Sequence, residues 1–156
     1  MARKILIALD DSDNALRCAE LAARTFSTDN TIVLFNVMLD TAALCNMESP
    51  ELTPLFKSQQ TNFCALEDKK RELVDAAMQQ AKKVLLSAGF SEKNIEIKVE
   101  NKNRGVARDI LAEADKGYDM IVMGRRGISG LKEFFLGSIS QKVFTGAKDI
   151  SVLIAN

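Results

Sequence analysis

The sequence predicts an α/β protein, a three-layer sandwich whose central sheet has five parallel strands in the order 3-2-1-4-5. Three observations carry this prediction. Short, continuous runs of Ile, Leu, Val and Met alternate along the chain with segments of helical period, which is how strands buried on both faces and their crossover helices read. The run Ile95–Val99 instead alternates apolar with charged residues, as an edge strand does. Right-handed crossovers and that edge character together favour the order, with strands 1 and 4 side by side where the winding reverses.

Each element follows from its residues. Lys4–Leu9 (KILIAL) is a buried strand, and Asp10-Asp11-Ser12-Asp13 after it supplies N-cap candidates and first-turn acids. Leu16, Ala19, Glu20, Ala23 and Phe26 follow at helical spacing, and Ser27–Asn30 ends that helix. Thr31–Val37 is the second strand. Met38–Cys64 holds both prolines and shows no sustained period, so it reads as a lid or mobile excursion. Leu66–Ala88 is a helix with Leu66, Leu73, Ala77, Val84 and Leu85 on its apolar face and Gly89 as its C-cap glycine. After the edge strand, Gly105 precedes a helix over Val106–Lys116. Gly117-Tyr118-Asp119 turns the chain into the buried strand Met120–Met123. A helix over roughly 138–147 and a last strand, Ser151–Ala155, complete the pattern. No internal repeat or boundary interrupts it, so residues 1–156 read as one domain.

Composition narrows the function. Lys plus Arg and Asp plus Glu number 21 each, whereas nucleic-acid binders carry a basic excess to replace counterions. No apolar run is long enough to span a bilayer, and Met1–Ile7 lacks the apolar length of a signal peptide. The expected location is the cytoplasm, with no nucleic-acid or membrane partner. The chain has no histidine, which removes the commonest general base and any Ser-His or Cys-His pair. Its three cysteines, Cys18, Cys45 and Cys64, lack a Cys-x-x-Cys spacing. That argues against a zinc site and a disulfide framework and favours buried filler or loop thiols.

Gly124–Ser140 carries the chemistry. Gly124 and Gly127 follow a buried strand, where glycine permits a tight turn and close approach to a ligand. Gly137-Ser138 then opens a helix whose first N–H groups lack intrahelical partners, a ready site for phosphate oxygens. Ser138 and Ser140 add hydroxyl donors, and Arg125, Arg126 and Lys132 add positive charge. Asp10 and Gly124, each at a strand end, converge on one crevice. Asp11 and Asp13 read as helix-capping acids rather than metal ligands.

Gly124-x-x-Gly127, nine residues, then Gly137-Ser138 resembles the nucleotide-binding signature of the universal stress protein family. The resemblance extends through KILIALDDSDNALRCAELAA, LFNV and YDMIVMGRRGISGLKEFFLGSIS. It implies a Rossmann-like fold of the adenine nucleotide α-hydrolase type, the ATP-binding subclass, and a homodimer paired through the last strand. Carried over by position, Asp10 meets the adenosine portion, beside Ala8 and Leu9. The Val37 backbone reads the adenine edge. Met123, Gly124, Arg126 and Gly127 form the turn around ribose and phosphates, and Gly137, Ser138, Ile139 and Ser140 form the phosphate-binding helix start. The ligand so implied is ATP, AMP or ADP, with magnesium carried by the nucleotide. Two segments depart from the family pattern: Lys148–Val152, where Pro-Cys-Pro-Val is common, and the excursion at 39–64.

The expected function is therefore a nucleotide-dependent regulatory module of the stress response with no catalytic residue. The alternative is a slow ATPase or nucleotidyl-transfer enzyme, against which the absent Ser-Gly-Gly-x-Asp-Ser loop and missing base argue. A flavin-binding electron carrier is a third reading; nothing in the glycine pattern marks an isoalloxazine pocket.

Overall fold

The computed structural model describes residues 1–10, 13–49, 51, 53–125 and 136–156. Five strands, β1 (Lys4–Ala8), β2 (Thr31–Met38), β3 (Ile95–Asn101), β4 (Met120–Gly124) and β5 (Ser151–Ala155), form one sheet of order β3-β2-β1-β4-β5. All four pairings are parallel, with Ala8 opposite both Phe35 and Met123. The fold is the α/β sandwich that the strand pattern predicts.

The helices are α1 (Asp13–Thr25), α2 (Ala42–Cys45), α3 (Pro54–Ser87), α4 (Val106–Ala114) and α5 (Ser138–Gly146). Helices α1 and α3 cover one face of the sheet, burying Ile5, Ile7, Ile32 and Leu34. The opposite face, with Leu6, Val33, Phe35 and Ile121, packs against α4, together with Val143 of α5. Ile5, Leu6 and Ile7 are all fully buried, so consecutive residues serve both cores, and this is why the run KILIAL has no polar alternation.

Four local expectations are corrected. The excursion is largely helical: α3 starts at Pro54, twelve residues before Leu66. Thr53 Oγ1 accepts a hydrogen bond from the Phe56 N–H at 3.2 Å, and Pro54, which has no N–H to satisfy, takes the first turn. The buried stripe of α3 is Val74, Met78, Ala81 and Leu85, whereas Leu66 and Leu73 are exposed. In α1 the buried stripe is Ala15, Cys18, Ala19 and Ala22, and Glu20 faces solvent. Cys45 and Cys64 form a disulfide with Cα atoms 5.9 Å apart, joining α2 to α3. Their separation of 19 residues hid the pair, because only the helical excursion brings them together. Gly89 does cap α3: at φ +99° it lets the Phe90 N–H donate back to the Leu85 carbonyl at 3.1 Å.

The outer turns of α3, from Pro54 to Lys70, bury no residue. They are tied down by the disulfide, by Gln60 donating to the Met47 carbonyl at 3.1 Å, and by Arg71 donating to the Leu39 carbonyl at 3.0 Å. Among the described residues no helix is long and apolar enough to cross a membrane.

Candidate functional site

A cavity of about 320 Å³ opens at the carboxyl ends of β1, β2 and β4, within the range of small-molecule sites, roughly 300–1,000 Å³. It lies where β1 and β4 neighbour each other and the winding reverses. Ten of the residues picked out from the sequence line it: Ala8, Leu9 and Asp10 from the end of β1, Val37 from β2, Met123 and Gly124 from β4, and Gly137, Ser138, Ile139 and Ser140 from the start of α5. Arg126 and Gly127 lie outside the described residues, as does Lys132.

The start of α5 is clamped to the sheet. The Gly137 N–H donates to the Arg125 carbonyl at 2.8 Å, and the Arg125 N–H donates to the Ala155 carbonyl at 2.9 Å. The Ser140 hydroxyl donates to the Gly124 carbonyl at 2.7 Å. This differs from the expectation: the hydroxyl has a single proton, and it is spent on the end of β4 rather than offered to a ligand. The first bond inside the helix runs from the Gln141 N–H to the Gly137 carbonyl at 2.9 Å. The main-chain N–H groups of Ser138, Ile139 and Ser140 precede that bond, have no acceptor within the helix, and sit at its positive end. All three residues line the cavity, so oriented donors meet the space from one side.

The opposite wall was not foreseen. Asn36 and Met38 of β2, Cys18 of α1, and Lys70 and Val74 of α3 also line the cavity. Burial, with the Asp10 charge in support, pushes the Cys18 thiol up to about 12, so at neutral pH it is a protonated, apolar wall. Asn36 is the most informative of these residues. It is 7 % exposed, its Nδ2 donates to the Leu9 carbonyl at 2.6 Å, and its Oδ1 has no hydrogen-bond partner among the described residues. A lone amide inside the apolar strand TIVLFNV was a legible signal, since buried polar groups without partners are rare outside sites. Lys70 and Val74 could not be placed there without the true register of α3.

A second polar cluster lies on the α4 face. Glu113, 4 % exposed, accepts from Lys98 Nζ at 2.9 and 3.0 Å, from Lys116 Nζ at 2.7 Å and from the Tyr118 hydroxyl at 2.8 Å. Burial opposes its charge, but these donors outweigh it and hold the carboxyl down to about 2. Burial, with the bond to Glu113 in support, raises Tyr118 well above the phenol range. Among the described residues, no three acidic, cysteine or histidine side chains gather as a metal set.

Comparison with known proteins shows the family and the fold of the chain. The family model described as the universal stress protein family matches residues 1–155. The universal stress protein YxiE of Bacillus subtilis (strain 168) is 48 % identical over 54 residues, 34 % of this chain and 36 % of that protein. The match thus spans about a third of the Bacillus protein's length. A universal stress protein structure from Archaeoglobus fulgidus superposes with TM-score 0.69 at 17 % identity, covering 100 % of both chains. A universal stress protein crystallised in complex with cAMP superposes with TM-score 0.64 at 18 % identity, covering 99 % of this chain and 97 % of that one.

Proposed function

The chain belongs to the universal stress protein family, and from that premise we propose that it binds an adenine nucleotide, ATP foremost or else AMP or ADP, in the cavity at the ends of β1 and β4. The observation that carries the reading is the first turn of α5, whose N–H groups have no acceptor within the helix, lining that cavity together with Asp10. Phosphate oxygens take the N–H groups of Ser138, Ile139 and Ser140, with Gly124 and Gly137 allowing close approach. Arg126 and Gly127 extend the phosphate and ribose turn by their place in the glycine signature. Asp10, Ala8 and Leu9 meet the adenosine portion, Met123 lies at the ribose turn, and the Val37 main chain meets the base edge. Magnesium arrives on the nucleotide. That a relative of this fold was crystallised with cAMP, itself an adenine nucleotide, supports the same ligand class.

The protein acts as a regulatory module of the stress response, a single cytoplasmic domain that pairs with a second copy through β5. Among the described residues that strand is an end strand of the sheet, with β4 as its neighbour, and pairing with a copy would cover its other edge. A binding role is favoured over ATP hydrolysis because no histidine is present and the Cys18 thiol stays protonated.

Titration calorimetry with ATP and adenosine tests the site. Gly137→Val places a branched side chain where phosphate must approach the helix mouth. It should weaken ATP about 100-fold or more, by blocking the approach to several charge-assisted hydrogen bonds, while adenosine binding and the circular dichroism spectrum change little. Undiminished ATP affinity in that variant would sink the reading.

A further inference from the structure

The β1–β2 ladder breaks off at the cavity in an unusual way. The Leu9 N–H donates to the Phe35 carbonyl at 2.8 Å, so the main-chain groups of Phe35 face β1. On the other edge of β2 the Met38 carbonyl accepts from the Lys102 N–H at 2.6 Å, so Asn36 and Met38 face β3. Residues alternate along a strand, and Val37 therefore turns its own N–H and C=O toward the β1 side. The next rung of a parallel ladder would run from the Val37 N–H to the Leu9 carbonyl. That carbonyl is instead occupied by the Asn36 amide at 2.6 Å. The side chain stands in for the rung, and Leu9 and Val37 both line the cavity.

We propose that Asn36 is a positioning residue for base recognition: by capturing the Leu9 carbonyl it keeps the Val37 N–H free to donate to a purine ring nitrogen. The inference rests on the adenine-nucleotide reading above, in which the Val37 main chain meets the base edge, and adds the side chain that holds that edge open. A main-chain N–H beside its own C=O matches adenine, whose N1 accepts while its 6-amino group donates. Hypoxanthine presents the reverse pattern at the same edge, a donating N1–H and an accepting O6, and is rejected because both protein groups lose their partners. The arrangement costs stability, since the Asn36 Oδ1 is buried without a partner among the described residues. A leucine would fill the same apolar wall at no such cost. It would also let the Val37 N–H close on Leu9.

The test uses the full chain with AMP and inosine monophosphate as probes. Wild-type protein should prefer AMP by about tenfold or more. In Asn36→Leu, AMP should weaken by about tenfold and the preference over inosine monophosphate should collapse toward unity. The ratio of ATP to AMP affinity should be unchanged, because the phosphate end is untouched. Hydrogen exchange supplies a readout that needs no ligand: the Val37 amide should exchange readily in the free wild type and become protected in Asn36→Leu. An unchanged base preference in the variant, or a Val37 amide already protected in the free wild type, overturns the inference while the nucleotide reading stands. If neither nucleotide binds the wild type, both fall together.

Discussion

Two buried polar side chains, one on each face of the sheet, are treated in opposite ways. Glu113 lies under α4 at 4 % exposure with three donors, Lys98, Lys116 and Tyr118, around its carboxylate. Asn36 lies under α1 and α3 at 7 % exposure with one bond made and one oxygen left without a partner among the described residues. Similar burial thus comes with a closed network in one place and an open one in the other. A closed network spends all its hydrogen-bonding capacity on the fold. An open one beside a cavity keeps capacity in reserve, although that cavity, at the carboxyl ends of the strands, is lined from both faces, by Cys18 and Val74 on one and by Val106 and Ile110 on the other.

The difference can be broken first from the closed side. Glu113→Ala leaves the Tyr118 hydroxyl and the half-buried Lys98 ammonium without their acceptor, and should cost about 3 kcal/mol of unfolding free energy. The exposed Lys116 contributes little to that sum. Chemical denaturation measures it. A loss under about 1 kcal/mol would mean that water satisfies the partners and that the network is not what fixes this face.

Acid titration makes the same point with a smaller lever. The Glu113 carboxyl sits at about 2 against an ordinary 4.5. A depressed carboxyl stabilises the fold fully above its unfolded value and loses that contribution as pH falls through the folded one. Stability should therefore decline between about pH 4.5 and 2, by up to ~3 kcal/mol from this group. Glu113→Gln should remove most of that slope. A slope unchanged in the variant would place the acid sensitivity elsewhere.

The fold was legible because its signals are local and repeated. Lys4–Leu9 and Met120–Met123 are apolar without interruption since both sheet faces are covered, and Ile95–Val99 alternates because β3 is an edge. The mouth of α5 was legible because Gly137-Ser138 stands directly before a segment of helical period, and Gly137 is the N-cap of α5. What escaped depended on long-range register. The Thr53-Pro54 start of α3 carries its own cap signature, yet proline in an aperiodic stretch reads equally as a break. Missing it moved Leu66 and Leu73 to the wrong face and left Cys45 and Cys64 unpaired. It also hid Lys70 and Val74 from the cavity. Asn36 escaped otherwise: the strand TIVLFNV declares its burial, but only coordinates show that its amide replaces a ladder rung.

The smallest expected effect separates the two faces most sharply, because it differs from the first in sign. Asn36→Leu gives up a hydrogen bond to Leu9 but removes a buried oxygen that has no partner, and the Val37 N–H can take over the vacated carbonyl. The two changes nearly cancel, so unfolding free energy should lie within about 1 kcal/mol of wild type and on the stable side. A thermal or denaturant melt reads this directly, alongside Glu113→Ala as the reference for a side chain whose only work is structural. Were the leucine variant to lose 2 kcal/mol or more, by the usual cost of an unmade buried bond, Asn36 would belong with Glu113 among the residues that hold the sheet. Stability kept while base preference is lost is the behaviour of a residue retained for its ligand.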